Sequence, residues 1–252
     1  MEATLASRLN NVKRAAYEDD DDDDDMPALS AHALLALNEF LSAQTQQAKA
    51  PAEVAVVEED WQLSQFWYTE ETARTIAEEV REQAGAGGRV AFLSTPTAFI
   101  ALKKLLNEKG AREEVELVLF EYDRRFERAY PDEFVFYDYK HPTAFGDESN
   151  NSSQFKAGFD MVLIDPPFLN EECMSQYMET VRLLAKPSAR FLAATGRVMT
   201  DYLMAQENVG CGAIRECQWR PRHNKLSNEF KCYTNYASTR LNLEGSDASP
   251  NA

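Results

Sequence analysis

The sequence predicts an α/β fold, with a mostly parallel sheet covered by helices on both faces and an antiparallel hairpin at one edge. Three observations carry this. Five short apolar runs follow one another between residues 89 and 194. Helix-spaced segments separate several of them, the order expected of a parallel sheet buried on both faces. Two further runs, 213–219 and 230–237, have little helix between them and read as the hairpin. The chain has 252 residues, 44% hydrophobic and 11% aromatic, so a sizeable core can be buried.

From the start of the chain, residues 1–17 carry Arg8, Lys13 and Arg14, with Glu2 as their one acid. Glu18 and seven aspartates, Asp19 to Asp25, follow. Like charges in a run repel one another, so residues 1–26 read as a disordered acidic tail. The ordered domain is expected over 27–237. Ser30 reads as an N-cap, and Ala33, Leu34, Leu37, Phe40 and Leu41 follow at helical spacing. Residues 45–53 read as a linker and 54–57 (VAVV) as a short apolar segment. An aromatic stretch, Trp61-Gln62-Leu63-Ser64-Gln65-Phe66-Trp67-Tyr68, comes next. Thr69-Glu70-Glu71-Thr72 can cap a helix whose inner face is Ala73, Ile76, Ala77 and Val80.

Gly85 to Gly88 end that helix. Residues 89–94 (RVAFLS) read as a strand and 99–109 as a helix with Leu102, Leu105 and Leu106 inside. Strands 115–122 and 134–137 lead to Asp123 and Asp138. Strand 159–164 leads to Asp165, and a helix covers 173–184. Strand 189–194 ends at Thr195-Gly196. Residues 238–252 are small and polar and read as a flexible tail.

Composition narrows the function classes. Lys and Arg total 26 against 42 Asp and Glu, for a net charge of −16. Duplex-binding proteins carry basic patches, because phosphate contacts dominate their affinity. This balance counts against nucleic acid as the direct substrate and suits a basic protein partner. Cys173, Cys211, Cys217 and Cys232 form no C-x-x-C pair, so no metal site is expected, and reduced thiols fit a cytosolic or nuclear compartment. No apolar run approaches the ~20 residues needed to cross a bilayer. The first residues lack an uninterrupted apolar stretch, so no secretory leader is expected.

In an open parallel sheet, ligands bind outside the carboxyl ends of the strands, near the switch in strand order. Four groups fall at those ends: Ser94-Thr95-Pro96-Thr97, Glu121-Tyr122-Asp123, Asp138-Tyr139 and Asp165-Pro166-Pro167-Phe168. Glu121 or Asp123 could accept protons from both hydroxyls of a ribose. The two alternate along the strand and should face opposite ways. Asp138 could hold an adenine amino group. The alternative is that these acids merely cap turns. The first strand is followed by no glycine-rich turn.

The tetrapeptide 165–168 is the strongest signal. Asp165 precedes a proline and is held extended. Two prolines fix φ and offer carbonyls without competing N–H groups. The Asp165 carboxylate and the Pro166 carbonyl can therefore grip the two hydrogens of an amine and aim its lone pair. Phe168 offers a π face to a cation formed at that nitrogen. Together with the strand pattern, this corner points to methyl transfer from sulfur to nitrogen on a class I methyltransferase sheet. Arg220, Arg222, His223 and Lys225 form a local basic cluster. It reads as an exposed loop in preference to a partner-positioning patch.

Residues 28–237 resemble the eukaryotic elongation factor 1-alpha lysine methyltransferase 1 family, earlier regarded as N6-adenine DNA methyltransferases because of their Asp/Asn-Pro-Pro-aromatic signature. The matching stretches are Leu29 to Leu34, Trp61 to Tyr68, Phe120 to Asp123, Phe134 to Tyr139, Asp165 to Phe168 and Asn228 to Tyr233. The resemblance implies a seven-strand Rossmann-like fold, S-adenosyl-L-methionine as cofactor and a lysine of elongation factor 1-alpha as acceptor. The family also lacks the glycine-rich turn, and Ser94, Thr95, Pro96, Tyr122 and Tyr139 are expected beside the cofactor. The Leu63 to Tyr68 segment is expected to fold over it, bringing Gln65, Phe66, Trp67 and Tyr68 near. A purely core role for those rings is the alternative. A cytoplasmic monomer is expected, with N6-adenine methylation of DNA or RNA as the second function. The acidic tail at 1–25 is longer than the resemblance suggests.

Overall fold

The computed structural model describes residues 60, 63, 65–108, 110, 115–146, 152–205, 212–226 and 228–242. The acidic run, the helix expected from Ser30, the 45–53 linker and the 54–57 segment lie outside them. So do Trp61, Gln62 and Ser64 of the aromatic stretch, and residues 243–252.

The described helices are α1 (Glu70–Ala84), α2 (Pro96–Glu108), α3 (Arg125–Ala129), α4 (Glu171–Leu184) and α5 (Thr200–Met204). The strands are β1 (Gly88–Leu93), β2 (Val115–Glu121), β3 (Phe134–Phe136), β4 (Phe159–Ile164), β5 (Ala185–Gly196), β6 (Arg215–Glu216) and β7 (Phe230–Thr234). They form one seven-stranded sheet in the order β3-β2-β1-β4-β5-β7-β6. The first five are parallel, and β7 runs antiparallel to both β5 and β6. The expected edge hairpin is therefore present, with β7 inserted between β5 and β6.

Alternation along each strand sends side chains to two cores. Val90, Phe92, Leu119, Met161, Leu163 and Leu192 meet Ile76, Val80 and Leu102 of α1 and α2 on one face. Ala91, Phe120, Val162, Ile164 and Phe191 meet Met174, Tyr177 and Val181 of α4 on the other. Thr69 caps α1, its hydroxyl accepting from Thr72 N at 3.2 Å. No described helix is long and apolar enough to cross a membrane.

Several boundaries differ from expectation for local reasons. α2 begins at Pro96, three residues before the expected start. Proline suits a first helical position, where its missing N–H is not needed. α4 begins at Glu171 because Asn170 caps it, accepting from Cys173 N at 2.8 Å. β5 extends back to Ala185 through an irregularity in its pairing with β4 between Phe159 and Met161. The described chain continues past residue 237, where the domain end is expected. Ser238 and Leu241 are buried, and the described chain packs on through a 3-10 turn at Arg240–Asn242.

Register brings the candidate residues together. Leu93 pairs with Phe120 on one side and Ile164 on the other. The residues that follow them, Ser94, Glu121 and Asp165, thus emerge side by side. The chain leaves β1 toward β2 and β3, then returns to β4 on the other flank of β1. That reversal is the switch point where a ligand crevice is expected.

Candidate active site

A cavity of about 650 Å3 opens at this switch point. Ser94, Thr95, Pro96, Glu121, Tyr122, Asp138, Tyr139, Asp165, Pro166, Pro167 and Phe168 line it, with Gln65, Phe66, Trp67 and Tyr68 from the segment before α1. Of the residues expected from sequence, Asp123 alone is not on the wall. Lys140, Tyr177, His223, Leu226, Asn228 and Phe230 also line it. These were not assigned to the site from sequence, although Asn228 and Phe230 lie in a stretch that carries the resemblance.

Ser94 takes a φ of 51°, in the left-handed region that favours glycine. Its N–H donates to Phe120 O at 2.9 Å and its Oγ lies 2.5 Å from Tyr177 Oη. The tight turn after β1 is thus made by a serine held from both sides, which is how the chain manages without a glycine-rich loop. Thr95 Oγ1 is buried without a hydrogen-bond partner among the described residues, at the cavity wall.

The two acids after β2 divide as the alternation of the strand requires. Glu121 is on the cavity wall, and its Oε1 accepts from Tyr122 N at 2.9 Å and Asp123 N at 3.1 Å. Burial pushes its carboxyl up to about 7, against the pull of those backbone bonds. Asp123 turns to Arg125, which donates from Nε at 2.9 Å and lies 2.6 Å away through Nη2. Gln65 Nε2 also donates to Asp123 Oδ2 at 2.9 Å. Burial opposes its ionisation, yet these donors hold Asp123 below its usual carboxylate range. Asp123 and Gln65 therefore tether the segment before α1 to the end of β2. Asp138 lines the cavity and accepts from Lys140 N at 3.0 Å.

That segment is anchored at its other end by residues 222–224, where the sequence predicts an exposed loop. Thr69 N donates to Arg222 O at 2.9 Å and Asn224 N to Trp67 O at 3.0 Å, while Tyr68 and His223 form an antiparallel bridge. Arg220 pairs with Glu229. The Trp67 ring packs edge-on against Phe126 of α3, 6.2 Å between centroids, so it has a core role at the cavity edge.

At the corner after β4, Asp165 N donates to Leu93 O at 3.2 Å. Its Oδ2 accepts the Tyr68 hydroxyl at 2.5 Å, and among the described residues no donor meets Oδ1. Burial pushes the carboxyl up to about 7; the Tyr68 bond acts in the opposite sense and the Glu121 charge adds to the rise. Phe168 is 43% exposed, leaving a ring face at the cavity lip, and sits edge-on to Tyr139 at 5.9 Å. Gly196 makes room for the loop, since a Cβ there would lie 2.5 Å from Leu169 Cδ1.

A cavity of this size falls within the ~300–1,000 Å3 typical of small-molecule sites. Glu121 suits a diol, Thr95 supplies an orphan hydroxyl, and aromatic rings suit a nucleobase. The residues present fit a nucleoside cofactor.

This strand order, with an antiparallel seventh strand and an Asp-Pro-Pro-Phe corner after β4, defines a class I methyltransferase fold. A family model described as "Probable N6-adenine methyltransferase" matches residues 59–238. EEF1A lysine methyltransferase 1 of Mus musculus is 41% identical over 218 residues, covering 84% of this chain and 94% of that protein. The Homo sapiens protein of the same name is 42% identical over 218 residues, covering 84% and 93%. The chain belongs to the EEF1A lysine methyltransferase 1 family. The crystal structure of a predicted O-methyltransferase from Agrobacterium tumefaciens is similar at a TM-score of 0.45 and 14% identity, over 66% of this chain and 81% of that one.

Proposed function

We propose that this chain is a protein-lysine N-methyltransferase that uses S-adenosyl-L-methionine to methylate a lysine of elongation factor 1-alpha. The observation that carries the reading is the Asp165 to Phe168 corner. It faces the cavity with one carboxylate oxygen unengaged among the described residues. The names of the mouse and human relatives support the choice of acceptor.

Glu121 would hold the ribose hydroxyls and Asp138 the adenine amino group. Ser94, Thr95 and Pro96 would support the cofactor from the β1 side, and Phe66, Tyr122 and Tyr139 would enclose it. When bound, the cofactor supplies an electrophilic methyl group on a sulfonium sulfur. The protein's own part is alignment and electrostatics. Asp165 Oδ1 and the Pro166 carbonyl accept the two N–H groups of the neutral amine and direct its lone pair inward. The exposed Phe168 ring stabilises the ammonium charge that develops.

N6-adenine methylation is the second reading, favoured by the family model's description and by the same corner. The basic cluster argues against it: Arg222 and His223, with Asn224, hold the segment over the cavity, and Arg220 is paired with Glu229. The net charge of −16 also opposes nucleic acid as direct substrate. We take the enzyme to act as a monomer in the cytoplasm.

The test is incubation with labelled S-adenosylmethionine and elongation factor 1-alpha, read by mass spectrometry. Methylation of one lysine is expected, and Asp165→Ala should lose turnover while remaining folded. Label transfer to oligonucleotides with none to protein would overturn the reading.

A further inference from the structure

We propose that Tyr68 is a positioning residue, whose hydroxyl fixes the Asp165 carboxylate so that Oδ1 alone is presented to the acceptor nitrogen. The role of Asp165 rests on the methyltransferase reading above. The hold of Tyr68 on Asp165 stands on geometry of its own.

The two residues are 97 positions apart, and the Tyr68 hydroxyl meets Asp165 Oδ2 at 2.5 Å. Tyr68 is 4% exposed and cannot swing into solvent without opening the segment it sits on. That segment is fixed on both sides of it. Upstream, Gln65 is tied to Asp123 and Arg125. Downstream, Asn224 Nδ2 donates to Tyr68 O at 3.2 Å. The ring lies 4.8 Å from His223, which lies 4.3 Å from Phe230 on β7. A row of tilted rings reaching back to β7 thus backs the Tyr68 ring and sets its hydroxyl against the corner.

The chemistry runs one way. Burial, then the Asp165 charge, push the Tyr68 phenol well up, so it stays protonated and only donates. A carboxylate with one oxygen so engaged cannot rotate to offer the other edge. Glu121 from β2 and Cys232 from β7 are the other titratable groups that face Asp165, and the Glu121 charge opposes its ionisation. The Tyr68 bond is what favours the ionised form. It thereby ties the segment over the cavity to the ionised form of Asp165.

Tyr68→Phe keeps the ring and the backbone pairing and removes the hydroxyl. We expect kcat to fall about 10- to 100-fold, the scale of a misaligned catalytic geometry. KM for elongation factor 1-alpha, and the calorimetric Kd for S-adenosylhomocysteine, should stay within about twofold. The acid limb of the kcat–pH profile should move to higher pH. In the ligand-free protein, the 13C-detected titration of the Asp165 carboxyl should move above its parent value of about 7. In an Asp165→Asn background, Tyr68→Phe should add little, because groups acting as a unit are not additive. Unchanged kcat with an unchanged titration would overturn the proposal, as would independent effects of the two substitutions. If the parent fails to label elongation factor 1-alpha, the substrate reading falls, and the carboxyl titration still decides whether Tyr68 holds Asp165.

Discussion

Glu121 and Asp165 are two carboxyls on one cavity wall, each raised by burial to about 7. An ordinary glutamate in the unfolded chain ionises near 4.3 and an aspartate near 3.9. Between those values and 7 the folded protein binds more protons than the unfolded chain. Stability therefore falls as pH rises through this window, and the penalty is complete above 7. Glu121→Gln removes one of these titrations while keeping an oxygen for the Tyr122 and Asp123 N–H groups. Its melting temperature relative to the parent, without cofactor, should rise between pH 5 and about pH 7 and level off above. Its affinity for S-adenosylhomocysteine should fall, because an amide accepts ribose hydroxyls less strongly than a carboxylate. Parallel melting curves across that range would show that Glu121 does not titrate there.

At the scale of elements, α4 connects the Asp165–Phe168 corner to the fold. Its cap, Asn170, follows directly on Leu169, and its Tyr177 meets both Ser94 and Tyr139. Asn170→Ala leaves Cys173 N without its acceptor, a loss of ~1 kcal/mol for a helix N-cap. Roughly 2–4 °C of melting temperature should go with it for a chain of this size. Thermal melts check this, and an unchanged transition would mean that solvent replaces the cap. The elements most legible in the sequence were those with strong local signals. The apolar runs of β1 and β4 and the Thr69 cap of α1 needed no knowledge of their neighbours. α3 was missed because five residues hold too little periodicity to detect. The start of β5 was hidden by Pro187 and Ser188, which look like a turn and sit beside a pairing irregularity. The site divided in the same way. Asp165-Pro166-Pro167-Phe168 declares itself by local stiffness. The tether from Gln65 to Asp123, and the bond from Tyr68 to Asp165, join residues 58 and 97 positions apart. Spacing along the chain cannot reveal such contacts.

Across the described molecule, α1 is held from outside by the last packed residues. Arg240 lies 2.9 Å from Glu78, 3.6 Å from the buried Glu79 and 3.1 Å from Glu82, three acids along one helix. Leu241 is fully buried in the core shared with Ile76 and Val80, and its carbonyl accepts from Trp219 N at 2.9 Å. The turn at 240–242 thus joins α1 to the chain just beyond β6. α1 also starts two residues after Tyr68, and its Thr72 hydroxyl accepts from Arg222 N at 3.0 Å. Loosening the far end of this assembly should therefore weaken both the fold and the segment over the cavity. Leu241→Ala removes a buried side chain, at about 2–5 kcal/mol for such a truncation. Ending the chain after residue 237 should destabilise further, since Glu79 would stay buried without Arg240. Chemical denaturation of the two variants should rank them in that order below the parent. Equal midpoints for parent and truncated chain would place the true end of the domain at 237, as the sequence alone suggested.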